Sequence, residues 1–573
     1  MPAAVRSCAL PYPSDQLTVE DRSTPTGRRV SLPRDLIPAA AQDALGPGAK
    51  LDDVQADADG FSAVGPVIFE LDRPVDPASL PVDGGDVVRA FDVADGDPVD
   101  LRVELSFDSV LRGGAGTIVM AWPMTRWEPG HTYVARLADG LTSPTGPPAR
   151  PDGMDGPAGS FIASVSEDLS RIEGDRWPTT VAATRFTVRS TSSATGDLEA
   201  MVATARRADH PVRNFSVVPP SLKNKGAAMV FGEVRLTDFR DADGVARPGP
   251  ATDAWAPFMM TLPAQSAGPA GAPVVVYGHG LMASKETLLV VAGTNAARGM
   301  ATIGIDMPNH GARQEGQGGF LLDILNPASF GRLASMPIQG EVDTVSLVQA
   351  ITTHMSDLDL AGSGPAGWMA PDGVADLDTS RLFYEGTSMG GVLGASSVAH
   401  LDELQGAYLQ VPGSGIADIL YHSVLWPLFS GLIPQGLGAG DAAALQGLGT
   451  LLLDRSDNTY LLDHLRDAER PVFLQYGLGD WVVPNVNTER LAALVDLPLV
   501  GPEIAPIQLE VRRTGTVGIP SDGRGVAQVD PVSTPKEVAF FLAHLSFLTE
   551  QVAYDLLDQW LVNRMEATGL ATS

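Results

Sequence analysis

Strongly apolar runs recur after residue 211, and longer amphipathic stretches separate them. Runs that are apolar at successive positions are typical of strands buried on both faces, as in a parallel sheet with helices on either side. Residues 211–573 are therefore predicted to form an α/β domain around a mostly parallel sheet. The runs are Pro273–Tyr277, Ala301–Ile305, Leu382–Tyr384, Gly406–Val411 and Pro471–Tyr476.

A G-x-S-x-G turn, Gly386–Gly390, directly follows the third run and precedes the small-residue stretch Val392–Ser397. A serine in such a turn between a strand and a helix is pushed out of the sheet, and Gly386 and Gly390 avoid collisions with the neighbouring strand and helix. Serine alone is a poor nucleophile. Ser388 is therefore a candidate nucleophile only if the fold brings a base and an oxyanion site to it.

A second glycine turn offers an oxyanion site. Gly278, His279 and Gly280 follow the first apolar run, and glycines there let the backbone point an amide into a cleft. An oxyanion hole needs two such donors. We expect them to be the backbone amides of Leu281 and Met389, and we expect His279 to orient this loop rather than to act as a base.

A carboxylate, Asp480, follows the last apolar run within the turn Gly477–Pro484. A carboxylate at a strand end can hold an imidazole in one tautomer and stabilise its cation, which makes Asp480 the candidate acid. Two alternatives stay open. Asp480 caps the helix near Asn485, or Asp418, which follows the preceding strand, supplies the carboxylate.

Taken together, these turns resemble the α/β-hydrolase superfamily and, within it, the bacterial esterases and lipases. Asp306–Gly311 resembles the D-x-P-G-H-G turn of that superfamily, and Gly477–Pro484 matches its G-x-x-D-x-x-V-P turn. The family's chain order of serine, acid and histidine implies that the base comes last, and His544 is the only histidine after Asp480. Its neighbours are apolar rather than glycine, so two alternatives remain: His544 is a core residue, or His310 is the base.

The resemblance implies a serine hydrolase of carboxylic esters, an esterase or lipase, that uses Ser388, Asp480 and His544 and needs no cofactor or metal. Its substrate would be a small-molecule, lipid or polyester ester. A polyester depolymerase or a serine peptidase would use the same triad. A surface adhesion or binding protein with a degenerate hydrolase domain is the alternative from another class.

Short alternating segments predict an N-terminal β-sandwich over residues 61–150, with an irregular segment at 1–60 and a linker with one helix at 151–210. Trp127–Val134 resembles a strand entry of bacterial Ig-like domains. Pro11–Leu17 ahead of such a sandwich resembles the N-terminal region of bacterial extracellular, virulence-factor lipases, which implies an extracellular or cell-surface location. The predicted strands are Val67–Leu71, Val99–Leu105, Thr117–Trp122 and Thr132–Leu137.

Two insertions interrupt the predicted catalytic domain at residues 311–340 and 416–466. Both leave the carboxyl side of the sheet, where a lid over a cleft would lie. Packing decoration of a large domain is the alternative interpretation.

The composition limits the partners of this 573-residue chain. Its 69 acidic and 39 basic side chains give a net charge of −30, which repels nucleic acid and anionic membranes. The only cysteine, Cys8, excludes an intrachain disulfide; it is interpreted as an exposed thiol, with lipidation as the alternative. No apolar stretch has the length of a membrane helix, and no signal peptide is expected. Asp52–Gly60 and Asp238–Gly244 are interpreted as turns, because they lack the ligand spacing of calcium loops.

Overall fold

The computed structural model describes residues 10–107, 116–147, 159–174, 180–218, 228–314, 319–362, 370–532 and 539–570. Cys8 and parts of the predicted linker lie outside these ranges. The strands are β1 Thr18–Glu20, β2 Arg28–Val30, β3 Val67–Glu70, β4 Val88–Asp92, β5 Leu101–Leu105, β6 Ile118–Pro123, β7 Thr132–Ala138, β8 Thr180–Thr187, β9 Val212–Val218, β10 Ala228–Asp238, β11 Thr252–Leu262, β12 Ala272–Gly278, β13 Ala301–Ile305, β14 Leu377–Thr387, β15 Leu404–Gln410, β16 Val472–Gly477 and β17 Gly525–Val529.

The α-helices are α1 Ala39–Ala44, α2 Leu51–Gln55, α3 Gly159–Glu173, α4 Thr191–Ala205, α5 Leu289–Ala297, α6 Gly319–Asp323, α7 Phe330–His354, α8 Met389–His400, α9 Ile416–His422, α10 Trp426–Phe429, α11 Ala439–Leu453, α12 Leu462–Asp467, α13 Asn485–Val495, α14 Ala539–Leu542, α15 Ser546–Thr549 and α16 Gln551–Ala567. None of these described helices combines the length and apolar character needed to cross a bilayer.

The chain divides into two compact units. The first comprises Met1–Gly196, Asp323–Ala334 and Pro427–Ser456, and the second comprises Asp197–Leu322, Ser335–Trp426 and Asp457–Ser573. These bounds differ from the predicted domains, because the first unit continues to Gly196. The first unit also contains Asp323–Ala334 and Pro427–Ser456. These residues lie in the two segments, 311–340 and 416–466, that the sequence predicts as insertions in the catalytic domain.

A nine-stranded sheet in the order β17-β16-β15-β14-β12-β13-β11-β10-β9 runs through the second unit. Neighbouring strands from β12 to β17 pair in parallel. Strand β11 is antiparallel to β13 and β10, and β10 is antiparallel to β9. The predicted apolar strands thus lie in the parallel part of a mixed sheet. Strand β17 of that part was not predicted, and neither was the hairpin β10–β11 at the antiparallel edge.

Alternate residues of β12 enter two different hydrophobic clusters. Val274 and Val276 pack with residues of α7 and α8, whereas Val275 and Tyr277 pack with residues of α5 and α16. Helices therefore cover both faces of this strand. This explains why its residues are apolar at successive positions instead of alternating with polar ones.

Two three-stranded antiparallel sheets lie in the first unit, in the orders β3-β6-β5 and β4-β7-β8. Strand β8 falls in the segment predicted as a linker, and β1, β2, α1 and α2 fall in the segment predicted as irregular. Helix α11 belongs to this unit too, where Gly447 O accepts a hydrogen bond from the Tyr12 hydroxyl at 3.0 Å. Any Cβ at Gly447 would lie 2.6 Å from the Tyr12 ring, so the helix has glycine where that ring rests on it.

Glu385 is a carboxyl group buried in β14, with 1% of its surface exposed. Its hydrogen-bond partner is the Asn295 side-chain amide, 3.1 Å from Oε2, and its Oε1 has no partner among the described residues. Burial raises the pKa of Glu385 to about 8, since no cation offsets the lost hydration of a carboxylate. The group is therefore protonated in the folded protein at neutral pH.

Replacing Glu385 with glutamine should stabilise the protein in alkaline solution. Because the folded pKa exceeds the unfolded one, the native state keeps a proton that the unfolded chain releases, and stability falls as the pH rises towards 8. Glutamine removes this linkage and still accepts from Asn295. Calorimetry at pH 5.5 and at pH 8.5 gives the difference in melting temperature between Glu385→Gln and wild type. This difference should be larger at pH 8.5, by roughly 3–8 °C in favour of the variant. The exposed Glu510→Gln is the control, and an equal gain at both pH values would contradict the assignment.

Candidate active site

Ser388 occupies a strained turn between β14 and α8. Its backbone has φ 56° and ψ −119°, a region that non-glycine residues rarely adopt. The Ser388 amide donates to Gln410 O on β15 at 2.9 Å. The neighbouring parallel strand therefore holds the turn in the conformation that lifts the hydroxyl out of the sheet.

Three glycines allow close backbone approach beneath this turn. Strand pairing places Gly278 beside Gly386. A Cβ at Gly390 would lie 2.1 Å from Gly278 O, and one at Gly386 would lie 2.2 Å from Gly390 O. The Tyr384 hydroxyl donates to Gly390 O at 2.8 Å, so the turn is both packed and hydrogen-bonded against the end of β12.

Adding a methyl group at Gly390 should separate these segments. Gly390→Ala is expected to lower the unfolding free energy by about 2 kcal/mol or more, since backbone atoms cannot yield as a side chain would. Gly293→Ala is the matched control: this glycine lies in α5 with nothing within 4 Å of an added Cβ, and its replacement should stabilise slightly. Urea unfolding of both variants measures the difference, and equal stabilities would contradict the packing argument.

Ser388, His544 and Asp480 form a continuous hydrogen-bonded chain. Ser388 Oγ lies 2.9 Å from His544 Nε2, and His544 Nδ1 lies 2.7 Å from Asp480 Oδ2. Asp480 is 3% exposed and His544 8%. Because a carboxylate only accepts, Nδ1 carries the proton and Nε2 offers its lone pair to the serine hydroxyl.

Asp480 also satisfies its own turn. Its Oδ1 accepts the amides of Val482 and Val483 at 2.8 and 3.1 Å, while Oδ2 is directed to His544. The alternative that Asp480 caps the helix near Asn485 is wrong, because Pro484 is the N-cap residue of α13 and no side chain caps this helix. The amides fix the carboxyl group in place, so that it can in turn fix the imidazole.

A short 3₁₀ turn, Ala543–Leu545, carries His544. This turn packs on the end of β16, where a Cβ at Gly477 would lie 2.3 Å from Ala543 O. The imidazole itself is directed to Asp480 and Ser388. The close approach therefore requires glycine at position 477, on the strand, rather than beside His544.

The expected oxyanion donors belong to two segments near Ser388: Met389 directly follows it, and Leu281 follows Gly280 in the loop packed against it. Among the described residues, no hydrogen-bond acceptor engages the amides of Leu281 and Met389. Met389 is the first residue of α8, where helix amides point outwards unpaired. A Cβ at Gly280 would lie 3.3 Å from Ser388 Cβ, so the loop that carries Leu281 contacts the serine.

The alternative candidates are engaged elsewhere. His310 Nε2 accepts the Met282 amide at 3.1 Å, and its Nδ1 lies 2.9 Å from Pro308 O. Asp418 pairs with Arg490 at 2.6 Å and with His422 at 2.5 Å. No hydrogen bond joins either residue to Ser388 or His544 among the described contacts.

One buried ion pair beside the site was not predicted. Lys285 Nζ lies 2.9 Å from Asp306 Oδ2, with the Asp306 side chain fully buried and that of Lys285 7% exposed. The Lys285 amide also donates to Asp306 Oδ1 at 2.7 Å. The strand-end position of Asp306 was visible in the sequence, but its partner, a lysine in the loop after the preceding strand, had no local signal. Within the described ranges, no group of three or more His, Cys, Asp or Glu side chains has the arrangement of a metal site.

The mixed sheet, the strained serine turn and the strand-end acid define the α/β-hydrolase fold. No protein-family profile matches the chain, and no curated protein matches it.

Several solved structures are similar to this chain, with low TM-scores. An acetyl xylan esterase from Paenibacillus sp. R4 is 14% identical, over 51% of this chain and 82% of that chain, with a TM-score of 0.33. Acetyl xylan esterase 1 from Thermoanaerobacterium sp. is 12% identical, over 64% and 94%, with a TM-score of 0.37. The peroxisomal α/β-hydrolase Lpx1 from Saccharomyces cerevisiae is 11% identical, over 61% and 90%, with a TM-score of 0.35. Scores and identities this low transfer no activity to this chain.

Proposed function

We propose that the protein is a serine hydrolase that cleaves carboxylic esters. The observation that carries the proposal is the hydrogen-bonded chain from Ser388 Oγ through His544 to Asp480, with two unengaged backbone amides beside the serine. A nucleophile, an oriented base and an oxyanion site are the parts that acyl transfer requires.

In the proposed reaction, Ser388 Oγ attacks the acyl carbon while its proton moves to His544 Nε2. The Leu281 and Met389 amides hold the oxyanion, and Asp480 stabilises the imidazolium. Collapse of the intermediate expels the alcohol, which takes the proton from His544 and leaves an acyl group on Ser388. Water then attacks that ester, with His544 again receiving and returning the proton, and the acid is released.

Exposed apolar side chains beside the site support an ester with an apolar group. Met282, next to the proposed oxyanion donor Leu281, is 49% exposed, and Trp481, next to Asp480, is 59% exposed. Both side chains are next to residues of the proposed catalytic machinery, where an apolar group of a bound ester would contact them. They favour an ester with an aliphatic acyl chain over a peptide, while the triad itself suits both.

The N-terminal part of the proposal is an Ig-like sandwich formed by the two antiparallel three-stranded sheets, on a protein that acts outside the cell or at its surface. The strand pairing of β3 to β8 supports the sandwich. The location rests on the likeness of the first 150 residues to extracellular lipases.

Removing the nucleophile or the acid should abolish turnover of p-nitrophenyl butyrate. Ser388→Ala is expected to lower kcat by about 10⁴ or more, and Asp480→Asn by about 10³–10⁴, because the imidazole loses its orientation. Asp418→Asn tests the alternative acid and should cost less than tenfold. The variants are compared after circular dichroism shows each to be folded. Full activity in Ser388→Ala would refute the proposal, and equal losses in the two aspartate variants would refute the acid assignment.

The acyl preference should depend on Trp481. We expect kcat/KM to rise from p-nitrophenyl acetate to the hexanoate, because each buried methylene adds about 0.8 kcal/mol. Trp481→Ala should reduce that rise and leave acetate hydrolysis within about threefold. Val517→Ala, which truncates a side chain that is 87% exposed, is the control. A profile unchanged by Trp481→Ala would show that this side chain does not contact the acyl chain.

A further inference from the structure

Two histidines that are not part of the proposed triad, His279 and His310, connect two neighbouring loops, with each histidine bonded to the other loop. The oxyanion loop is Gly278–Lys285, and the Asp306 turn is Asp306–Arg313. His279, in the oxyanion loop, accepts the amide of Met307 at its Nε2, 2.8 Å away. His310, in the Asp306 turn, accepts the amide of Met282 at its Nε2, 3.1 Å away. Each loop therefore supplies one imidazole and one amide to the other.

The partners determine the protonation state of both rings. A backbone amide can only donate, so each Nε2 must carry a lone pair. Each Nδ1 faces a carbonyl that can only accept: Gly280 O at 2.8 Å from His279 and Pro308 O at 2.9 Å from His310. Both histidines are therefore neutral, with the proton on Nδ1, because an imidazolium has no acceptor to offer.

The surroundings favour this neutral state. His279 is fully buried and His310 is 4% exposed, and burial lowers the pKa of His279 to about 4 and also lowers the pKa of His310. The ring centroids lie 5.4 Å apart, so two positive charges there would repel each other. Asp306 and Glu286 are the acidic groups that face the pair and partly oppose these effects.

The bonds act on the two peptide planes that flank Leu281. In a planar trans peptide the carbonyl and the amide point in opposite directions. The bond from His279 Nδ1 to Gly280 O therefore sets the direction of the Leu281 amide, which shares that peptide. The bond from the Met282 amide to His310 fixes the next peptide, at a residue whose φ of 60° needs support.

We propose that His279 and His310 are positioning residues, which form a reciprocal clasp that aims the Leu281 amide at the oxyanion before the substrate binds. This rests on the proposed function, since the amide matters only if an oxyanion forms at Ser388. The Lys285–Asp306 ion pair joins the same two loops independently. Replacing one histidine should therefore leave the two loops in contact and change only the orientation of the Leu281 amide.

Kinetics of His310 variants test the clasp. His310→Ala leaves the Met282 amide without an acceptor and should lower kcat about 10–100-fold, less than the loss of an oxyanion donor itself, with KM within threefold. His310→Gln restores an acceptor that cannot be protonated and should recover kcat to within fivefold of wild type. The inhibition constant of an alkyl boronic acid, whose tetrahedral adduct occupies the oxyanion site, should rise in His310→Ala by the factor that kcat falls.

The surface variant His354→Ala serves as the control and should leave both constants unchanged. Unaltered boronate affinity in a slowed His310→Ala, or no rescue by His310→Gln, would overturn the clasp.

A tautomer measurement separates this proposal from the proposed function. The chain has nine histidines, and ¹⁵N-histidine labelling with the single variants assigns the His279 and His310 signals. At pH 7 both should show a protonated Nδ1 and a bare Nε2, whether or not the protein turns over esters. The opposite tautomer or a cationic ring at either position would refute the clasp. Predicted tautomers in a protein without esterase activity would refute only the proposed function.

Discussion

The close approach of backbone at Gly278, Gly386 and Gly390 is the constraint on which the site depends. Parallel pairing of β12 with β14 places the first two side by side, and the first turn of α8 presses the third against Gly278 O. Only glycine fits at these contacts, and the serine turn can form only where they are made. The oxyanion loop and the nucleophile therefore come from adjacent strand ends, and their mutual position is set by the sheet rather than by flexible loops.

Around that constraint the protein arranges buried polar groups, each of which must find a partner. Asp480 divides its oxygens between two backbone amides and His544. Asp306 takes the Lys285 ammonium and backbone amides. In the proposed clasp, neutral histidines accept backbone amides in the same way as these carboxylates, but without carrying charge. A preorganised site of this kind costs little rearrangement when negative charge develops on the substrate, which is the main source of such catalysis.

Much of the site could be predicted because Ser388, Asp480 and the oxyanion loop each follow an apolar strand, whereas His544 was inferred from chain order. Ser388, Asp480 and His544 were found from apolar runs, turn residues and chain order, and the structure brings the three together. The alternative role of Asp480 as a helix cap was wrong, because its Oδ1 accepts amides within its own turn, ahead of α13. The reciprocal bonds of His279 and His310 were not foreseen, because they depend on which amide of one loop meets which ring of another. The hairpin β10–β11 was missed, and so was the place of α11 in the first unit, since contacts such as that of Tyr12 with Gly447 leave no local pattern.

Covalent labelling tests the central claim most directly. A fluorophosphonate reacts with a serine only when a base removes its proton and a donor stabilises the phosphoryl oxygen, so the adduct reports nucleophile, base and oxyanion site together. Incubation followed by intact-mass analysis and peptide mapping should give one adduct per chain, on Ser388, and His544→Ala should slow its formation by at least about 10²-fold. An unmodified wild-type protein or an adduct on a residue other than Ser388 would contradict the account, and so would a His544→Ala variant that is labelled at the wild-type rate.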